Sequence, residues 1–501
     1  MNAPMTASTA TDACLTDSLD VLIIGAGFAG VGAAIRLRQQ GIDNIAVLDK
    51  ADGIGGTWWH NTYPGAACDI PSHLYCYSFE PNPDWSRKYS PQAEIQAYIE
   101  HCAEKYDIKR HIRLNTRVEV CRFDEQRKLW LAQLADGATL AAHHVIFATG
   151  GLHLPAWPDI RGMQDFGGPS MHSAEWDHSV DFRDKRVAVI GSAASAIQLI
   201  PELAKIARQL DVYQRTPNYI APRNDREFSA REKARFARWP WWNRLYRKFI
   251  FLRGELVIFP LVKTKGPSRW RARVEKMLRR HIRRSVADRA TGAAMIPDYP
   301  AGCKRLLIAD NFYDAINRPN VALLTQGIER IEADAVVTVD GARHPADILV
   351  YATGFDMENY MRQTEVIGPG GVTLSEIWAR IPFAYKGGFV PGLPNFYFTT
   401  GPNTGVGTTS VVYMIEAELN LIIQAIGLSG RNRLIEVSKA ACQRYNEEIR
   451  AALQETVWAG DCKSWYKRPD GEIASLYPYN ARTYLRDHQR LVVEDFTLHS
   501  S

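Results

Sequence analysis

The sequence predicts an α/β protein with two Rossmann-like units and a helical insert. Two strand–turn–helix–strand patterns predict this fold, one beginning at Asp20 and the other at Arg186. A basic, helix-forming segment follows the second pattern. Because a Rossmann unit holds a dinucleotide at the turn between its first strand and first helix, two such units indicate two dinucleotides. The length of 501 residues suits two or three packed units.

The first unit reads DVLIIGAGFAG, then a helical stretch, then the strand NIAVLD. Its three glycines provide a tight turn, a close approach of backbone to a pyrophosphate, and close helix packing. Asp49 ends the second strand, where its carboxylate can accept hydrogen bonds from ribose hydroxyls and would repel a 2′-phosphate. The pair Gly55-Gly56 followed by Thr57-Trp58 suits backbone passing close to a flat ring, which favours FAD over NAD. The expected FAD contacts from these patterns are Gly25, Gly27, Phe28, Gly30, Asp49, Lys50, Gly56, Thr57 and Trp58.

The second unit carries a degenerate turn, because GSAASA from 191 to 196 keeps only the first of the three glycines. Taken alone, this pattern fits an ordinary strand–helix turn equally well. Arg215 ends the next strand, at the place where the first unit has Asp49, and an arginine there selects a 2′-phosphate. The second unit is therefore predicted to bind NADPH through Gly191, Ser192, Ala193, Ser195, Ala196 and Arg215.

Two long motifs connect the chain to a known family. Residues 166 to 177 read FGGPSMHSAEWD, which places Phe166, Gly168, His172, Trp176 and Asp177 at the positions of a family fingerprint, and residues 55 to 69 read GGTWWHNTYPGAACD. With these motifs the sequence resembles the type I Baeyer-Villiger monooxygenases, from the first unit to CKSWY at 462 to 466. It departs from the family at the degenerate second turn and in having Asp49 where glutamate is usual.

The resemblance implies an enzyme that uses FAD and NADP(H) to insert one oxygen atom of O2 beside the carbonyl of a ketone. The product would be an ester or lactone, formed via a flavin peroxide. By the same resemblance Arg305 is the active-site cation and Asp69 its partner. The remaining residues carried over are Lys304 and Thr216 for the 2′-phosphate, Trp465 for the nicotinamide end, and Tyr75, Val118 and Val411 for the flavin.

Two alternatives remain open. A related flavin monooxygenase would oxygenate soft nitrogen or sulfur through the hydroperoxide, and a non-enzymatic protein would bind flavin or nucleic acid. His172 is also open, because the residues alone favour a structural histidine, whereas the resemblance implies coupling at the domain linkage.

The expected domains are an FAD-binding domain at 1–153 and 385–501, an NADP-binding domain at 154–222 and 301–384, and a basic insert at 223–300. Residues 223 to 289 hold 21 Lys and Arg against 6 Asp and Glu, a net charge of +15. The insert is expected to pack its Trp, Phe and Leu side chains inward and to keep its arginines in water. A nucleic-acid or anionic membrane surface is the other interpretation.

A cytoplasmic location is expected from the cysteines, and the protein is expected to be a monomer or weak homodimer that binds no nucleic acid. Eight scattered cysteines without a CxxC pair fit reduced thiols and argue against a disulfide reductase. No cluster has the spacing of a metal site. The most apolar candidate span, 249 to 262, is too short for a transmembrane helix, and the N-terminus lacks the features of a signal or transit peptide.

Overall fold

The computed structural model describes residues 18–356, 359, 363–405, 407–462, 464–468 and 470–500. Before the insert the elements are β1 (Leu19–Ile24), α1 (Phe28–Gln39), β2 (Ile45–Leu48), α2 (Thr57–His60), α3 (Gln92–Lys105), β3 (Ile112–Arg113), β4 (Val118–Asp124), β5 (Leu129–Leu134), β6 (Thr139–Phe147), β7 (Ser170–His172), β8 (Arg186–Ile190), α4 (Ala194–Leu203), β9 (Gln209–Tyr213) and β10 (Ile220–Ala221). The insert contains α5 (Ala230–Arg238), α6 (Pro240–Arg253), a π-helical turn (Gly254–Ile258), α7 (Phe259–Val262), α8 (Arg269–Ser285) and α9 (Arg289–Ala294).

After the insert the chain returns to both units. The elements there are β11 (Leu307–Ile308), α10 (Phe312–Ile316), β12 (Val321–Leu324), β13 (Ile328–Glu332), β14 (Ala335–Thr338), β15 (Arg343–Pro345), β16 (Ile348–Tyr351), β17 (Glu365–Ile367), α11 (Leu374–Ile377), β18 (Phe396–Phe398), α12 (Val411–Ser429), β19 (Arg433–Val437), α13 (Lys439–Gln454), α14 (Ala481–Asp487) and β20 (Phe496–Ser500).

The first sheet carries the glycine-rich turn and has the strand order β17-β4-β5-β6-β1-β2-β3. β1 is parallel to β2 and β6, and all residues of β2 are buried, as expected for a strand covered on both faces. β6 also pairs with β18 through its last residues. β17, which lies in the range expected for the NADP-binding domain, instead pairs with β4 in this sheet.

The second sheet is parallel and has the order β12-β9-β8-β16-β7. Its turn between β8 and α4 lies at the carboxyl end of the strands, where open α/β sheets hold their ligands. A small antiparallel sheet of β13, β14 and β15 precedes β16. The predicted α/β fold class with two Rossmann-like units is confirmed.

The insert is helical as predicted, but the expected sorting of its side chains is wrong in part. Phe236, Leu278 and Ile282 are buried as expected. Arg247 and Arg271 are buried as well, and Arg271 donates from Nε to the carbonyl of Leu261 at 3.0 Å. A set of large apolar side chains faces outward instead. The Arg271 guanidinium is tolerated because backbone carbonyls accept its hydrogen bonds, whereas the Arg247 guanidinium lies 3.8 Å from the Glu416 carboxylate.

Two expectations about composition need correction. Among the residues that the structure describes, the helix long and apolar enough to cross a membrane by length and composition is α12, not the span 249 to 262, and most of its candidate window is buried inside the protein. It packs against α1 and α14 as a core helix. The cysteines are not all free thiols, because Cys303 and Cys462 form a disulfide across a Cα–Cα distance of 6.5 Å.

Candidate active site

The first glycine turn is shaped by backbone contacts that exclude side chains. Gly25 has φ +113°, and a Cβ there would lie 2.4 Å from the carbonyl oxygen of Ala148. A Cβ on Gly30 would lie 1.7 Å from the carbonyl oxygen of Gly25. Gly27 differs, because its φ of −85° is ordinary and its Cβ would only reach Gly56 Cα at 3.4 Å. The protein therefore needs glycine at 25 and 30 for its own packing, whereas Gly27 leaves room in front of α1.

The N-terminus of α1 points its backbone N–H groups at this turn without a side-chain cap. Such an end attracts an anion. Asp49 is oriented beside it, since its carboxylate accepts from the backbone N–H of Ala26 at 2.6 Å and of Ala51 at 2.9 Å. A carboxylate has about four acceptor positions, so the two remaining ones can accept from ribose hydroxyls.

Lys50 follows Asp49 in the sequence, and Val118 lies at the start of β4. Lys50 donates from Nζ to Gln363 at 3.0 Å, and partial burial lowers its pKa. Val118 is buried at the start of β4, just beyond Thr116, whose N–H donates to the Asp49 carbonyl at 2.8 Å.

A cluster of aromatic side chains lies on the other side of the turn. The rings of Phe28 and Tyr75 lie 5.3 Å apart, and the Trp58 indole N–H donates to the Tyr75 hydroxyl at 3.2 Å. Burial raises the pKa of Tyr75, so the phenol stays protonated. Thr57 and Gly56 begin the short helix α2 that carries Trp58. Val411, half-exposed, is the first residue of α12.

The second turn repeats the design of the first with different residues. Gly191 has φ +119°, and a Cβ there would lie 2.3 Å from the Ala352 carbonyl oxygen. Ala196 is fully buried at the position of the third glycine. Ala193 begins α4 without a side-chain cap, as Gly27 does for α1, and Ser195 follows in the first turn of the helix. Ser192 donates from its hydroxyl to the Thr216 carbonyl at 3.4 Å, which ties the turn to the segment after β9.

Two cations meet beyond this turn. Arg215 is exposed two residues after the end of β9, and its charge contributes to lowering the pKa of Lys304, after the larger effect of burial. Lys304 Nζ lies 4.7 Å above the ring of Tyr299. Among the residues that the structure describes, neither cation forms an ion pair with a carboxylate. Two neighbouring cations that form no such ion pair are suited to a dianionic ligand such as a phosphate.

Arg305 and Asp69 form a bidentate pair across 236 positions of sequence. Arg305 donates from Nε to one carboxylate oxygen and from Nη2 to the other, both at 2.8 Å. The nearby Asp69 charge raises the pKa of Arg305 further above its ordinary value. The Arg305 side chain is 39% exposed, and its guanidinium keeps donors for another group while its plane is fixed by Asp69.

Comparison with known proteins identifies the chain. A Baeyer-Villiger monooxygenase of Pseudomonas aeruginosa is 41% identical over 464 residues, covering 91% of this chain and 87% of that protein. The chain belongs to the Baeyer-Villiger monooxygenase family. The family resemblance predicted from the two motifs is thus confirmed.

Solved structures agree with this membership of the Baeyer-Villiger monooxygenases. Oxidised steroid monooxygenase bound to NADP superposes with a TM-score of 0.86 at 30% identity, covering 97% of this chain and 100% of that one. OTEMO in complex with FAD and NADP gives 0.86 at 27% identity, covering 96% and 99%. The family model described as pyridine nucleotide-disulphide oxidoreductase matches residues 22–238, although this monooxygenase has no CxxC pair.

The fingerprint of this monooxygenase lies where the chain crosses between its two sheets. The crossing segments run side by side, with Ala156 donating to the Gly354 carbonyl at 2.9 Å. His172, the last residue of β7, is fully buried beneath them, its ring 5.4 Å from Trp157 and 6.2 Å from Phe355. Burial lowers the pKa of His172 to about 4, so the ring is neutral.

The other fingerprint positions have packing or turn contacts. Phe166 packs against the small core around β16, and a Cβ on Gly168 would lie 2.3 Å from the Asp347 carbonyl oxygen. Trp176 stacks on Phe182 at 5.1 Å. Asp177 accepts from the Ser179 hydroxyl at 2.6 Å.

Sequence reasoning missed the support around Arg305. The buried Tyr466 contributes to raising the Arg305 pKa, and Trp458 donates to the Gly302 carbonyl at 3.0 Å. Trp465, expected near the nicotinamide, is 58% exposed, with its ring 4.2 Å from that of Tyr466. The only available signal for Tyr466 was its place beside Trp465 in CKSWY.

Proposed function

We propose that this chain inserts one oxygen atom of O2 beside the carbonyl carbon of a ketone and forms an ester or lactone, with FAD and NADPH as cofactors. The Arg305–Asp69 pair is the observation that carries the proposal. Asp69 ends the motif that begins at Gly55 in the first unit, and Arg305 follows Lys304 of the proposed NADPH site. The pair therefore holds a fixed cation at the junction of the two proposed nucleotide sites. Family membership and the cofactors named for similar structures support it.

The residues of the first site fit FAD. The uncapped end of α1 and the open space at Gly27 suit a pyrophosphate, and Asp49 suits the ribose. Phe28, Trp58 and Tyr75 form the wall expected beside the ring system. Bound FAD supplies the activated oxygen once NADPH has reduced it. Lys50, Thr57, Val118 and Val411 are proposed as further contacts.

Arg305 is proposed to stabilise negative charge. When the ketone is attacked, charge develops on its carbonyl oxygen, and a cation oriented in advance lowers the energy of that transition state. Asp69 keeps the guanidinium in one plane, which makes Asp69 a positioning residue. Because the pKa of Arg305 is raised, the group stays charged at any working pH.

Arg215 and Lys304 are proposed to bind the 2′-phosphate of NADPH, with Thr216 beside them. The uncapped N-terminus of α4 at Ala193 would receive the pyrophosphate. Gly191, Ser192, Ser195 and Ala196 shape this turn, and Trp465 is proposed at the nicotinamide end.

The domain division and the role of His172 are also proposals. We place the FAD-binding unit at residues 1–153 and from β17 onward rather than from residue 385, because β17 pairs with β4. The NADP-binding unit then spans 154–222 and 301 to about 364, and the insert 223–300. His172, neutral and packed on both crossing segments, is proposed to couple the two units.

Oxygen-18 labelling with a panel of linear, cyclic and steroid ketones tests the proposed reaction. NADPH oxidation should increase with a ketone, and the ester should contain one labelled oxygen atom from O2. An amine and a thioether are assayed in parallel as alternative substrates. Oxygenation of these alone, with no ketone turned over, would support the nitrogen- and sulfur-oxygenating alternative and contradict the proposal.

A further inference from the structure

Helix α6 exposes a continuous apolar stripe on the surface of the insert. Trp241, Leu245, Phe249 and Leu252 recur at spacings of four, four and three residues, which places them on one face of a helix. Leu256, which is 72% exposed, continues the stripe in the next turn. Contiguous apolar patches of this kind are uncommon on soluble proteins and mark an interaction site.

The opposite face of α6 packs against the rest of the protein, so the exposed stripe is not the face that α6 uses for its internal packing. Arg247 donates from Nη1 to the carbonyl of His73 at 3.0 Å and from Nε to the hydroxyl of Tyr413 at 2.9 Å. Phe251 stacks on Tyr413 at 5.4 Å. A rigid helix therefore presents the apolar stripe to the outside.

Cations flank the stripe. Arg244, Lys248 and Arg253 are exposed on α6, and in the part of the chain that the structure describes none of them forms an ion pair with a carboxylate. The surrounding segment 223 to 289 carries +15 from 21 basic and 6 acidic residues. A surface that is both apolar and strongly basic complements one that is both apolar and acidic.

Tryptophans border the same surface. Trp239 and Trp241 lie at the start of α6, and Trp270 of α8 donates its indole N–H to the Val257 carbonyl at 3.1 Å. All three indoles are exposed. Tryptophan is enriched at the level of lipid headgroups, because its ring is apolar and its N–H is polar.

We propose that this face docks on the surface of an anionic phospholipid bilayer. The stripe Trp241, Leu245, Phe249, Leu252 and Leu256 enters the headgroup region, while Arg244, Lys248 and Arg253 contact phosphates. This is the arrangement of a basic amphipathic helix lying in the plane of the interface. A second copy is a poorer occupant, because two faces of the same charge would meet. Nucleic acid would leave the leucines without an apolar partner.

Co-sedimentation of the FAD-loaded enzyme with vesicles tests the proposal. We expect binding to vesicles of phosphatidylcholine with phosphatidylglycerol, and at least about tenfold weaker binding to phosphatidylcholine alone or at about 0.5 M salt. The triple variant Leu245→Ser/Phe249→Ser/Leu252→Ser should lose at least about tenfold in affinity. The variant Val339→Ser/Val492→Ser/Val493→Ser, which removes exposed apolar side chains outside the insert, is the matched control and should bind like the wild type.

Absence of binding to the anionic vesicles, or an equal loss in the control variant, would overturn the proposal. A change from dimer to monomer in the triple variant, with vesicle binding unchanged, would assign the stripe to a second copy and overturn it as well. NADPH oxidation with a water-soluble ketone should be unchanged in the triple variant. If that variant fails to fold, the single change Leu256→Asp serves instead, with the same expected direction.

Discussion

Arg215 and Lys304 are two like charges that lie close together. Burial of Lys304 lowers its pKa, and the nearby charge of Arg215 lowers it further. A phosphate between them would remove the repulsion, which is why we assign them to the 2′-phosphate. Each charge-assisted contact of this type contributes about 1.5 to 3 kcal/mol. Arg215→Ala should therefore raise the KM for NADPH far more than the KM for NADH. An unchanged preference in Arg215→Ala/Lys304→Ala would contradict the assignment.

Arg305→Lys separates charge from geometry at the proposed active site. The ammonium keeps the positive charge but cannot make the bidentate pair with Asp69. Its yield of ester per NADPH should fall between those of the wild type and Arg305→Ala. A yield equal to that of Arg305→Ala would show that the planar fork matters more than the charge.

The residue-scale predictions from sequence succeeded where a motif fixed a local conformation. Gly25 and Gly191 have the positive φ that the turns require. The pairing of Arg305 with Asp69 came only from the family resemblance, since no local pattern relates residues 236 positions apart. The disulfide between Cys303 and Cys462 was missed for the same reason. Tyr466 was missed because a buried tyrosine beside a cation looks like any core tyrosine in sequence.

At the scale of elements, the turn before α1 gives a direct test of the FAD site. Gly27 has ordinary φ, and its Cβ would meet protein only at 3.4 Å. Gly27→Val should therefore fold but purify without yellow colour, because the side chain occupies the place of the pyrophosphate. Gly427→Ala, with open space around its Cβ in α12, should keep its flavin. A fully loaded Gly27→Val enzyme would show that the assignment is wrong.

Helix α12 carries a buried carboxyl that makes stability depend on pH. Glu418 accepts from the backbone N–H of Thr400 and the hydroxyl of Tyr484 at 2.6 and 2.8 Å, and burial raises its pKa to about 7. Because the folded state holds its proton more tightly than the unfolded state, stability falls as pH rises from about 4.5 to 7.

The predicted size of this effect is up to about 3 kcal/mol. Urea unfolding at about pH 5 and pH 8 should show that the wild type loses more stability over this interval than Glu418→Gln, which cannot ionise. The loss of one hydrogen bond in the variant is the same at both pH values and cancels in the difference. Parallel pH dependence of the two proteins would contradict the prediction.

Sequence patterns predicted the elements well and their environments less well. The strands of both turns and the helical insert were predicted, because apolar periodicity and glycine positions are local signals. The outward stripe of α6 was not, since Trp, Phe and Leu at helical spacing predict a buried face in most proteins. The sequence also did not show that the short strand β17 adds to the first sheet through β4.

At the scale of the whole molecule, two nucleotide-binding units meet through crossing segments that contact the buried His172. If His172 couples them, His172→Ala should bind FAD normally but increase NADPH oxidised per ester formed. Phe182→Leu, a change beside Trp176 away from the crossing, is the control. Equal coupling in His172→Ala and the wild type would leave His172 a packing residue. A cytoplasmic location and a monomer or weak homodimer stay predictions.

The most direct test of the central claim is the amount of ester formed per NADPH consumed by Arg305→Ala with a good ketone. The variant should retain FAD, because other residues hold it, and NADPH should still reduce the flavin. Ester formation should fall about 10² to 10³-fold, the usual effect of removing one oriented charge contact. If Arg305→Ala converts ketone to ester at close to the wild-type rate and yield, the proposed role of Arg305 is contradicted.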